Sequence, residues 1–437
     1  MDAGGSAGAD TGTDVGLPAG PDAAVDTAVD AAVDGWVTAR TGTVLSTRPG
    51  VAELALRRNP KRAHLLVSLL LGKHVPRPAS AVLGAAGDLG TLVREALGDA
   101  SPFVVGFAET ATALGHGVAA VCGPGGGQAP YAHTTRRLVP DGVEPLQFAE
   151  EHSHAVEQTL GVLDESALAD SATPLVLVDD ELSTGRTAVN AIRVLQARWP
   201  RERYVLASLF DVRPTERREA TVAAVADLGA TLVDVSLVCG LLHLPGDLTQ
   251  RAADLVASAA SPAPPSGSAA VRHWRLGLPS GAAMTGAFGW DDVDEQRLHT
   301  AVRRLATALE PHLTGSVLVL GDEEFMYAAQ LTADALGAWT SSTTRSPALV
   351  VDEVGYPLRT VLTFPATDDH DRAAFAYNVA PSRHTDRGTA PGFDSVVLVS
   401  DRPVHAELCR GLAAAAASVV HVVQVGHGWD TDLSGPS

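Results

Sequence analysis

The sequence predicts an α/β protein in which a mainly parallel sheet is flanked by helices and is followed by a second α/β domain. Two observations predict this class. Short apolar runs rich in Val and Leu alternate with helix-forming segments through the first half of the chain, a pattern typical of parallel sheets covered by helices. Beyond a break rich in Pro and Ser, a strand-like run, an acidic turn and a helical pattern recur. With 437 residues and 46% hydrophobic content, the chain is long enough for about two or three cores.

The individual elements follow from apolar spacing. Predicted helices in the first half cover 53–71, 86–97, the segment from Ala111, 187–197 and 216–228. Predicted strands there are short continuous apolar runs at 103–107, 175–178, 205–210 and 231–238. In the second half, we expect a strand, an acidic turn and a helix at 316–337, and strands that end in acids at 348–358 and 394–401.

Composition divides the chain into five parts. Residues 1–35 are mostly Ala, Gly, Asp, Val and Thr without a basic residue, which favours a disordered acidic tail over a transient helix. The segment 258–270, SAASPAPPSGSAA, indicates a linker because Pro and small residues dominate it. We therefore expect a first domain at 36–257, a second domain at 271–430 and a short tail at 431–437.

Charge and composition exclude several classes of function. The formal net charge of -19 argues against a nucleic-acid-binding protein, which needs a concentrated basic surface. No apolar run approaches the roughly 20 residues that a membrane helix needs, and the amino terminus lacks a signal-peptide pattern. The widely spaced Cys122, Cys239 and Cys409 indicate neither a disulfide framework nor a zinc knuckle. We expect a cytoplasmic protein that binds neither nucleic acid nor a membrane.

The most informative stretch is LVLVDDELSTGRTA, at 175–188. Its apolar run predicts a central buried strand, and Asp179 and Asp180 follow at the carboxyl end, where open α/β sheets bind ligands. The loop 183–187 then offers three hydroxyls and a glycine before a helix, whose free N–H groups and dipole favour an anion. Acids beside a phosphate cradle fit a ligand with a diol at one end and a phosphate at the other, such as ribose 5-phosphate. The alternative is a solvated Asp-Asp turn before an N-capped helix.

Residues 176–187 resemble the phosphoribosyl pyrophosphate (PRPP) motif of type I phosphoribosyltransferases of the orotate phosphoribosyltransferase kind: hydrophobic residues, two acids and a T-G-x-T loop. The resemblance implies that family's fold, a parallel sheet flanked by helices. It implies that Asp179 and Asp180 bind the ribose 2- and 3-hydroxyls and contact magnesium indirectly, through Mg²⁺ bound to PRPP. Glu181 departs from the family pattern, in which an apolar residue is more usual. The loop residues implied to hold the 5-phosphate are Ser183, Thr184, Gly185, Arg186 and Thr187.

A second candidate site is FVVGFAETATALG, at 103–115, where a buried strand is expected to turn into a helix with free first amides. Its position resembles the pyrophosphate loop of the family, which makes Ala108 and Thr110 candidate PRPP-binding residues. Glu109 is a candidate catalytic residue, because a carboxylate beside pyrophosphate makes sense only with magnesium or the reacting base between them. The alternative is an ordinary strand-to-helix turn capped by Thr110.

The segment 131–155 lies where type I enzymes carry a mobile catalytic loop. Arg136 and Arg137 could reach over the leaving pyrophosphate, for which the planar guanidinium is suited, although an Arg-Arg pair in a polar loop is often only solvated. Lys73, one of two lysines in the chain, is a candidate phosphate ligand. Four residues near the end of the loop have the composition of a metal site, but a helix start or loop contact is expected because their spacing fits no tetrahedral zinc pattern. They are Glu150, Glu151, His152 and His154.

The second domain carries Thr344-Arg345-Ser346-Pro347. This tetrapeptide, together with GDEEFMYAAQLTADALG and FAYNVAP, resembles the TRSP domain that is fused to phosphoribosyltransferases in bacterial tellurite-resistance (Ter) stress clusters. Arg345 with Ser346 could bind a second phosphate, with a capped turn as the alternative. Three adjacent acids could bind a metal, with a solvated acidic loop as the alternative. These acids are Asp322, Glu323 and Glu324.

The two resemblances together imply a magnesium-dependent phosphoribosyltransferase that joins ribose 5-phosphate from PRPP to a nitrogenous base, in the synthesis of a nucleoside-like metabolite linked to tellurite or stress resistance. The alternatives are a non-catalytic PRPP or nucleotide sensor and a scaffold among stress-cluster proteins. In this fold a variable hood recognises the base, and 237–248 and 57–78 are its candidate segments. A homodimer is possible by analogy with the family.

Overall fold

The computed structural model describes residues 35–59, 62–149, 157–260, 262–384 and 391–427. The predicted tails, apart from Gly35, and the acid and histidine residues at 150–154 lie outside the described residues. We refer to the residues up to Ser258 as the N-terminal half and to those from Ala270 as the C-terminal half.

The described residues contain nineteen strands and nine α-helices. The strands are β1 Val44–Ser46, β2 Ala52–Leu56, β3 His64–Ser68, β4 Arg77–Pro78, β5 Phe103–Gly106, β6 Tyr131–His133, β7 Leu146–Ala149, β8 Glu157–Leu160, β9 Leu175–Leu182, β10 Arg203–Asp211, β11 Thr231–Cys239, β12 Leu241–His243, β13 Ala270–Leu278, β14 Val317–Gly321, β15 Trp339–Ser342, β16 Val361–Pro365, β17 Ala373–Tyr377, β18 Ser395–Ser400 and β19 Val419–His427. The helices are α1 Trp36–Thr41, α2 Ala79–Leu97, α3 Thr112–Cys122, α4 Arg186–Arg198, α5 Thr215–Ala226, α6 Leu248–Ser258, α7 Asp292–Leu309, α8 Tyr327–Ala335 and α9 Ala406–Ala415.

Two parallel sheets organise these elements. The first has the order β11-β10-β9-β5-β6, and every neighbouring pair is parallel. The second has the order β13-β19-β18-β14-β15-β4 and is parallel except for antiparallel β4 at its edge. Helices α2, α3 and α5 pack against the first sheet, and α7, α8 and α9 pack against the second. The predicted class, a parallel sheet flanked by helices with a second α/β region, is confirmed.

The two halves share a hydrophobic core. Leu89 of α2 and Val118 of α3 belong to the same buried cluster as Ala329 of α8, and both N-terminal helices pack against α8. Burial of one such Leu or Val side chain stabilises the fold by about 1.5–3 kcal/mol. Strand β4 also comes from the N-terminal half but pairs with β15 of the C-terminal half. The two halves therefore share one hydrophobic core, and both contribute strands to the second sheet.

The predicted helix at 53–71 is wrong. Residues of this segment form the antiparallel β2–β3 hairpin, with Leu54 opposite Leu66. Short apolar runs do not distinguish a buried strand from a buried helix. Pro60 in the middle of the segment was the available signal, because proline interrupts a helix interior.

The predicted strand at 348–358 is also wrong. Its apolar residues are buried, but the described backbone forms an irregular segment with one isolated bridge, Arg57 to Ala348. Leu349 N donates to Leu56 O at 2.8 Å, so this segment lies against the β2–β3 hairpin. The strand predicted at 394–401 forms as β18, and the strand, acidic turn and helix at 316–337 form as β14 and α8.

Candidate functional site

A cavity of about 440 Å³ lies between the carboxyl edges of the two sheets. Residues that follow β5 and β6 of the first sheet line it together with residues that follow β15 of the second. The sequence-predicted residues that line it are Lys73, Ala108, Glu109, Thr110, Arg136, Asp179, Asp180, Ser183, Thr184, Gly185 and Thr187. The fold thus brings three separate sequence motifs and one lysine to a single cavity.

The acid pair lies inside a strand rather than in a turn after it. Strand β9 continues to Leu182, because β10 extends to Asp211 and supplies hydrogen-bonding partners along its length. Asp179 and Asp180 are half-buried at the cavity wall. Burial raises the pKa of Asp180, Lys73 opposes this rise, and Glu181 adds to it. A carboxylate in this setting is stabilised by hydroxyl donors or by a cation.

Glu181, the departure from the family pattern, also lines the cavity. Its Oε1 lies 3.6 Å from Arg62 Nη2 of the segment between β2 and β3. Glu181 therefore interacts with the hairpin across the cavity.

The predicted phosphate loop joins β9 to α4. Gly185 has a φ of 75°, and a Cβ built on it would lie 2.5 Å from Thr221 Oγ1 and 3.3 Å from Arg213 Nη1. Only glycine fits this position without displacing the loop. Arg213 is fully buried and pairs with Asp211 at 2.8 Å, which fixes the floor beneath the loop.

Helix α4 begins at Arg186, so its first amides lie at the end of the loop. The side chain of Arg186 is exposed and is not among those that line the cavity. The place of Arg186 in the 5-phosphate loop stays a prediction, and it depends on the backbone amides of the loop and not on this side chain. Arg186 N lies 3.4 Å from Thr184 Oγ1, to which it donates.

Glu109 lies in the turn after β5 and is buried among cations. Its Oε1 lies 3.0 Å from Lys73 Nζ, and its Oε2 lies 3.7 Å from Arg345 Nε. Burial acts to raise the Glu109 pKa, but the charges of Lys73, Arg136 and Arg345 outweigh burial and lower it to about 2. Lys73 also donates to Thr110 Oγ1 at 2.7 Å. Lys73 therefore contacts the turn after β5 directly. The only sequence signal for this residue was that lysine is rare in the chain.

The two arginines after β6 lie in different surroundings. Arg136 lines the cavity, whereas Arg137 forms an ion pair with Asp401 and lies 3.5 Å from Glu324. The fold does not bring Arg137 to the cavity wall, because buried acids of the C-terminal half hold its guanidinium, and its contact with the pyrophosphate stays a prediction. Arg137 is not a solvated arginine, since its side chain is 17% exposed.

The C-terminal half completes the cavity with the tetrapeptide Thr344–Pro347 and with residues of and before β17. Tyr377 holds the tetrapeptide, since its hydroxyl donates to Ser346 O at 2.7 Å and accepts from Ala348 N at 2.8 Å. Arg345 Nη2 lies 2.8 Å from Glu323 and 2.8 Å from Asp368. The tetrapeptide thus presents its arginine at the turn that carries Glu109.

The segment that carries Lys73 is held by the same half. Ser341 Oγ donates to Lys73 O at 2.8 Å, and Asn378 Nδ2 donates to His74 O at 3.0 Å. Asn378 has a φ of 57°, and it belongs to the FAYNVAP motif. Two backbone carbonyls of the N-terminal half are therefore fixed by side chains of the C-terminal half.

The three adjacent acids are neither solvated nor arranged as a metal site. Asp322, Glu323 and Glu324 are each 3% exposed or less. Asp322 accepts from Thr343 at 3.1 Å and Ser400 at 2.9 Å. In the described part of the chain, no group of three or more His, Cys, Asp or Glu residues is placed to hold a metal ion.

Glu324 accepts from Thr135 Oγ1 at 2.6 Å and from Arg136 N at 3.0 Å. Glu323 pairs with Arg345 and with Arg372, each at 2.8 Å. These acids therefore fix arginines and backbone of the cavity wall.

Sequence reasoning did not single out several lining residues, among them Arg57 and His74 of the candidate hood segment 57–78, and Arg372 and Phe375. His74 follows Lys73 directly, and Phe375 begins FAYNVAP, so each lay beside a segment that the sequence had singled out. Of the two candidate hood segments, 57–78 contributes to the cavity, and no residue of 237–248 lines it.

Two family models match the chain. Residues 51–241 match the model of a phosphoribosyl transferase domain, and residues 284–416 match the TRSP domain, described as C-terminal to that transferase domain. The chain therefore contains a phosphoribosyl transferase domain followed by a TRSP domain. It is a pentosyltransferase with a TRSP domain, as its PRPP motif and TRSP tetrapeptide predicted. A comparison with curated proteins gives no match.

Several solved phosphoribosyltransferases are similar to parts of the chain. An adenine phosphoribosyltransferase from Trypanosoma brucei, in complex with AMP, pyrophosphate and ribose-5-phosphate, is 14% identical over 43% of this chain and 76% of its own, with a TM-score of 0.29. The enzyme from Giardia lamblia, with 9-deazaadenine, is 17% identical over 42% and 92%, with a TM-score of 0.29. An orotate phosphoribosyltransferase from Aeropyrum pernix is 17% identical over 44% and 86%, with a TM-score of 0.26. The two family models, and not these distant likenesses, identify the domains of the chain.

No helix among the described residues of the phosphoribosyltransferase is long and apolar enough to cross a membrane.

Proposed function

We propose that the protein transfers ribose 5-phosphate from PRPP, with magnesium, to the nitrogen of a heterocyclic base and releases pyrophosphate. One observation carries the proposal: the acid pair of β9, the 183–187 loop and the Glu109 turn line the same cavity. A ligand with phosphates at both ends of a ribose matches this arrangement. A stress-linked, nucleoside-like product remains a prediction of the family resemblance.

The 183–187 loop would bind the 5-phosphate. Thr184 and Thr187 line the cavity, and the first amides of α4 face the same end of the loop, where the helix dipole favours an anion. Asp179 and Asp180 would accept hydrogen bonds from the ribose hydroxyls. These contacts hold the sugar at both ends and leave its C1 free to move toward the acceptor.

The cationic group around Glu109 would receive the pyrophosphate. Lys73, Arg136 and Arg345 all act on the Glu109 carboxylate, so three cationic side chains gather at this turn. As the bond from C1 to pyrophosphate breaks, negative charge develops on the leaving oxygens, and preorganised donors stabilise it. Arg345 gives the TRSP domain a direct part in this step.

Magnesium bound to PRPP would fit the carboxylates of this site. Asp179, Asp180 and Glu109 are carboxylates on the cavity wall, and hard oxygen ligands suit magnesium. Bound to PRPP, magnesium would neutralise charge on the pyrophosphate. Delivery of the ion with the substrate stays a prediction of the family resemblance.

The test is a pair of measurements on the full chain. Calorimetry with PRPP and magnesium measures binding, and release of pyrophosphate in the presence of a bacterial metabolite extract measures transfer. We expect binding by the wild-type protein and a new species, identified by mass, that has gained ribose phosphate.

A PRPP sensor is the second candidate, and it would bind PRPP without forming such a species. No PRPP binding by the folded wild-type protein would contradict both functions. Arg410→Gln serves as the control variant, because Arg410 on α9 is 70% exposed and is not among the residues that line the cavity.

A further inference from the structure

We propose that Arg213 is a positioning residue for the 5-phosphate of PRPP, because its buried guanidinium lies behind the 183–187 loop and directs an unpaired N–H edge at Gly185. This inference rests on the proposed function and names a cation that serves the phosphate end of the site. Arg213 is not among the residues that line the cavity, so it would act through the loop and would not touch PRPP.

The loop that would bind the 5-phosphate has no cationic side chain of its own on the cavity wall. Its one basic residue is Arg186, which is exposed and does not line the cavity. A phosphate at this loop therefore depends on backbone amides and on the dipole of α4, and a positive charge behind the loop would add to both. The cationic side chains that do line the cavity come from other segments, and they are Arg57, Arg62, Lys73, Arg136, Arg345 and Arg372.

Two aspartates fix the guanidinium of Arg213 along one edge. Its Nε and Nη2 donate to Asp211 at 3.0 Å and 2.8 Å, and Nη2 also lies 3.0 Å from Asp234 Oδ2. The side chain is 0% exposed. Because the guanidinium is planar, these contacts also fix the direction in which the remaining nitrogen, Nη1, points.

The Nη1 group of Arg213 has no hydrogen-bond partner among the residues that the structure describes. It faces Gly185, since a Cβ built on that glycine would lie 3.3 Å from it. Gly185 lines the cavity, so the backbone of the loop separates the guanidinium from a ligand. A buried donor without a partner costs free energy in the empty protein. An anion in front of the loop would offset that cost, because charges interact strongly where water is excluded.

Backbone pairing sets the position of Arg213 behind the loop. Val212 N donates to Leu182 O at 2.9 Å, which ties the residue before Arg213 to the residue before the loop. On the side of α5, Arg218 Nε lies 3.2 Å from Asp211 Oδ2. The guanidinium therefore cannot turn away from the loop without breaking contacts with both β10 and α5.

The guanidinium of Arg213 is charged although it is buried. Burial acts to lower the Arg213 pKa, but the hydrogen bonds and charges of Asp211 and Asp234 outweigh burial and raise it. The arginine fork can pair with carboxylates through one edge and still present Nη1 to the loop. The single ammonium group of a lysine cannot do both.

The experiment uses two probes that represent the two ends of PRPP, namely ribose 5-phosphate and pyrophosphate with magnesium. Calorimetry measures both affinities for the full chain as wild type, Arg213→Gln and Arg213→Lys. We expect Arg213→Gln to bind ribose 5-phosphate about tenfold more weakly and Arg213→Lys about threefold more weakly, because lysine keeps only the charge. The affinity for pyrophosphate with magnesium should change by less than twofold.

Kinetics of pyrophosphate release from PRPP, in the presence of the metabolite extract, provide a second measurement. In Arg213→Gln the KM for PRPP should rise about tenfold while kcat stays within threefold, because the 5-phosphate is remote from the bond that breaks. A loss confined to kcat would contradict a role at the phosphate end.

Arg201→Gln is the matched control, because Arg201 is 2% exposed and lies at the opposite end of β10, where it donates to the carbonyls of Leu168 and Asp170. It should lower stability and leave both affinities unchanged. Thermal unfolding checks that each variant is folded. If Arg213→Gln does not fold, the double variant Arg213→Gln/Asp234→Asn takes its place, because it also removes a carboxylate that the guanidinium had paired.

The possible failures are distinguishable. A folded variant without the guanidinium that binds ribose 5-phosphate as tightly as wild type overturns the role of Arg213. An equal loss of affinity for ribose 5-phosphate and for pyrophosphate also overturns it, because a general distortion of the cavity would then explain the change. Wild-type protein that binds neither PRPP nor ribose 5-phosphate contradicts the proposed function itself.

Discussion

Two stretches of this chain have the same local plan and different functions. Residues 175–188 and 316–329 each form a buried parallel strand with acids at its carboxyl end, followed by a helix. In the first, Asp179 and Asp180 are half-buried and line the cavity. In the second, the acids are buried and engaged by hydroxyls and arginines. The comparison teaches that neighbouring elements decide whether acids at a strand end line a cavity or are fully buried inside the fold.

The largest expected difference is in stability. Glu324→Gln removes the charge that faces Arg137 and places an amide where Thr135 Oγ1 and Arg136 N donate. Breaking a buried charged contact typically costs 3–5 kcal/mol, so we expect the free energy of unfolding to fall by about 3 kcal/mol. Urea denaturation measures this change, with Glu407→Gln as an exposed control. An unchanged midpoint would show that the second acid group does not support the cavity wall.

Glu109 belongs to both sides of the comparison, because it is a buried acid that also lines the cavity. The pH dependence of protein stability measures how strongly its charge is stabilised. Its folded pKa of about 2 lies below the ordinary 4.5, so its charged form stabilises the protein fully above about pH 4.5. That contribution is lost as pH falls from 4.5 toward 2. We expect Glu109→Gln to be less stable than wild type by about 3 kcal/mol at pH 7, and the gap to narrow below pH 4.5. Denaturation curves between pH 7 and pH 3 measure the gap, and a gap that widens on acidification would contradict the assignment.

Asp180→Asn should lower activity without lowering stability, whereas the expected effect of Glu324→Gln is a loss of stability. Burial raises the Asp180 pKa, so a neutral side chain is expected to leave stability unchanged or slightly higher. Loss of a charged acceptor for the ribose hydroxyls should lower kcat/KM for PRPP about 100-fold, since hydrogen bonds to charged groups are worth about 1.5–3 kcal/mol each. Steady-state kinetics and urea denaturation of the same preparation test both halves of this prediction. A destabilised variant with normal kinetics would place Asp180 with the supporting acids.

The smallest expected effect is at the phosphate loop. Thr184→Val or Thr187→Val removes one hydroxyl from the cavity wall and should raise the KM for PRPP about tenfold, roughly 1.4 kcal/mol, because one hydrogen bond is lost. The KM for the acceptor should stay within twofold. Thr300→Val on the exposed face of α7 is the matched control. An increase confined to the acceptor KM would remove the 5-phosphate from this loop.

Much of the fold and the residues that β9 and its loop bring to the cavity could be predicted because the signals are local. A run of apolar residues, two acids and a Thr-Gly turn specify strand, ligand edge and helix start within 175–188. The β2–β3 hairpin was mistaken for a helix because its apolar residues are buried between two halves of the molecule, which removes the alternation that identifies a strand.

The composite site could not be predicted, because it depends on contacts between residues far apart in sequence. Arg136 and Arg137 are neighbours of the same chemistry, and only the position of Glu324 and Asp401 separates a cavity arginine from a structural one. His74 had no motif of its own, and Asn378 holds it from the other half of the chain.

By itself, the sequence determined the parallel α/β fold and the presence of the phosphoribosyl transferase and TRSP domains, since these depend on periodicity and short motifs. The tertiary structure decided that the TRSP domain completes the cavity and which charged side chains face it. The physical reason is that the burial and pairing of a charge depend on what packs against it, and here the two sheets meet at their carboxyl edges.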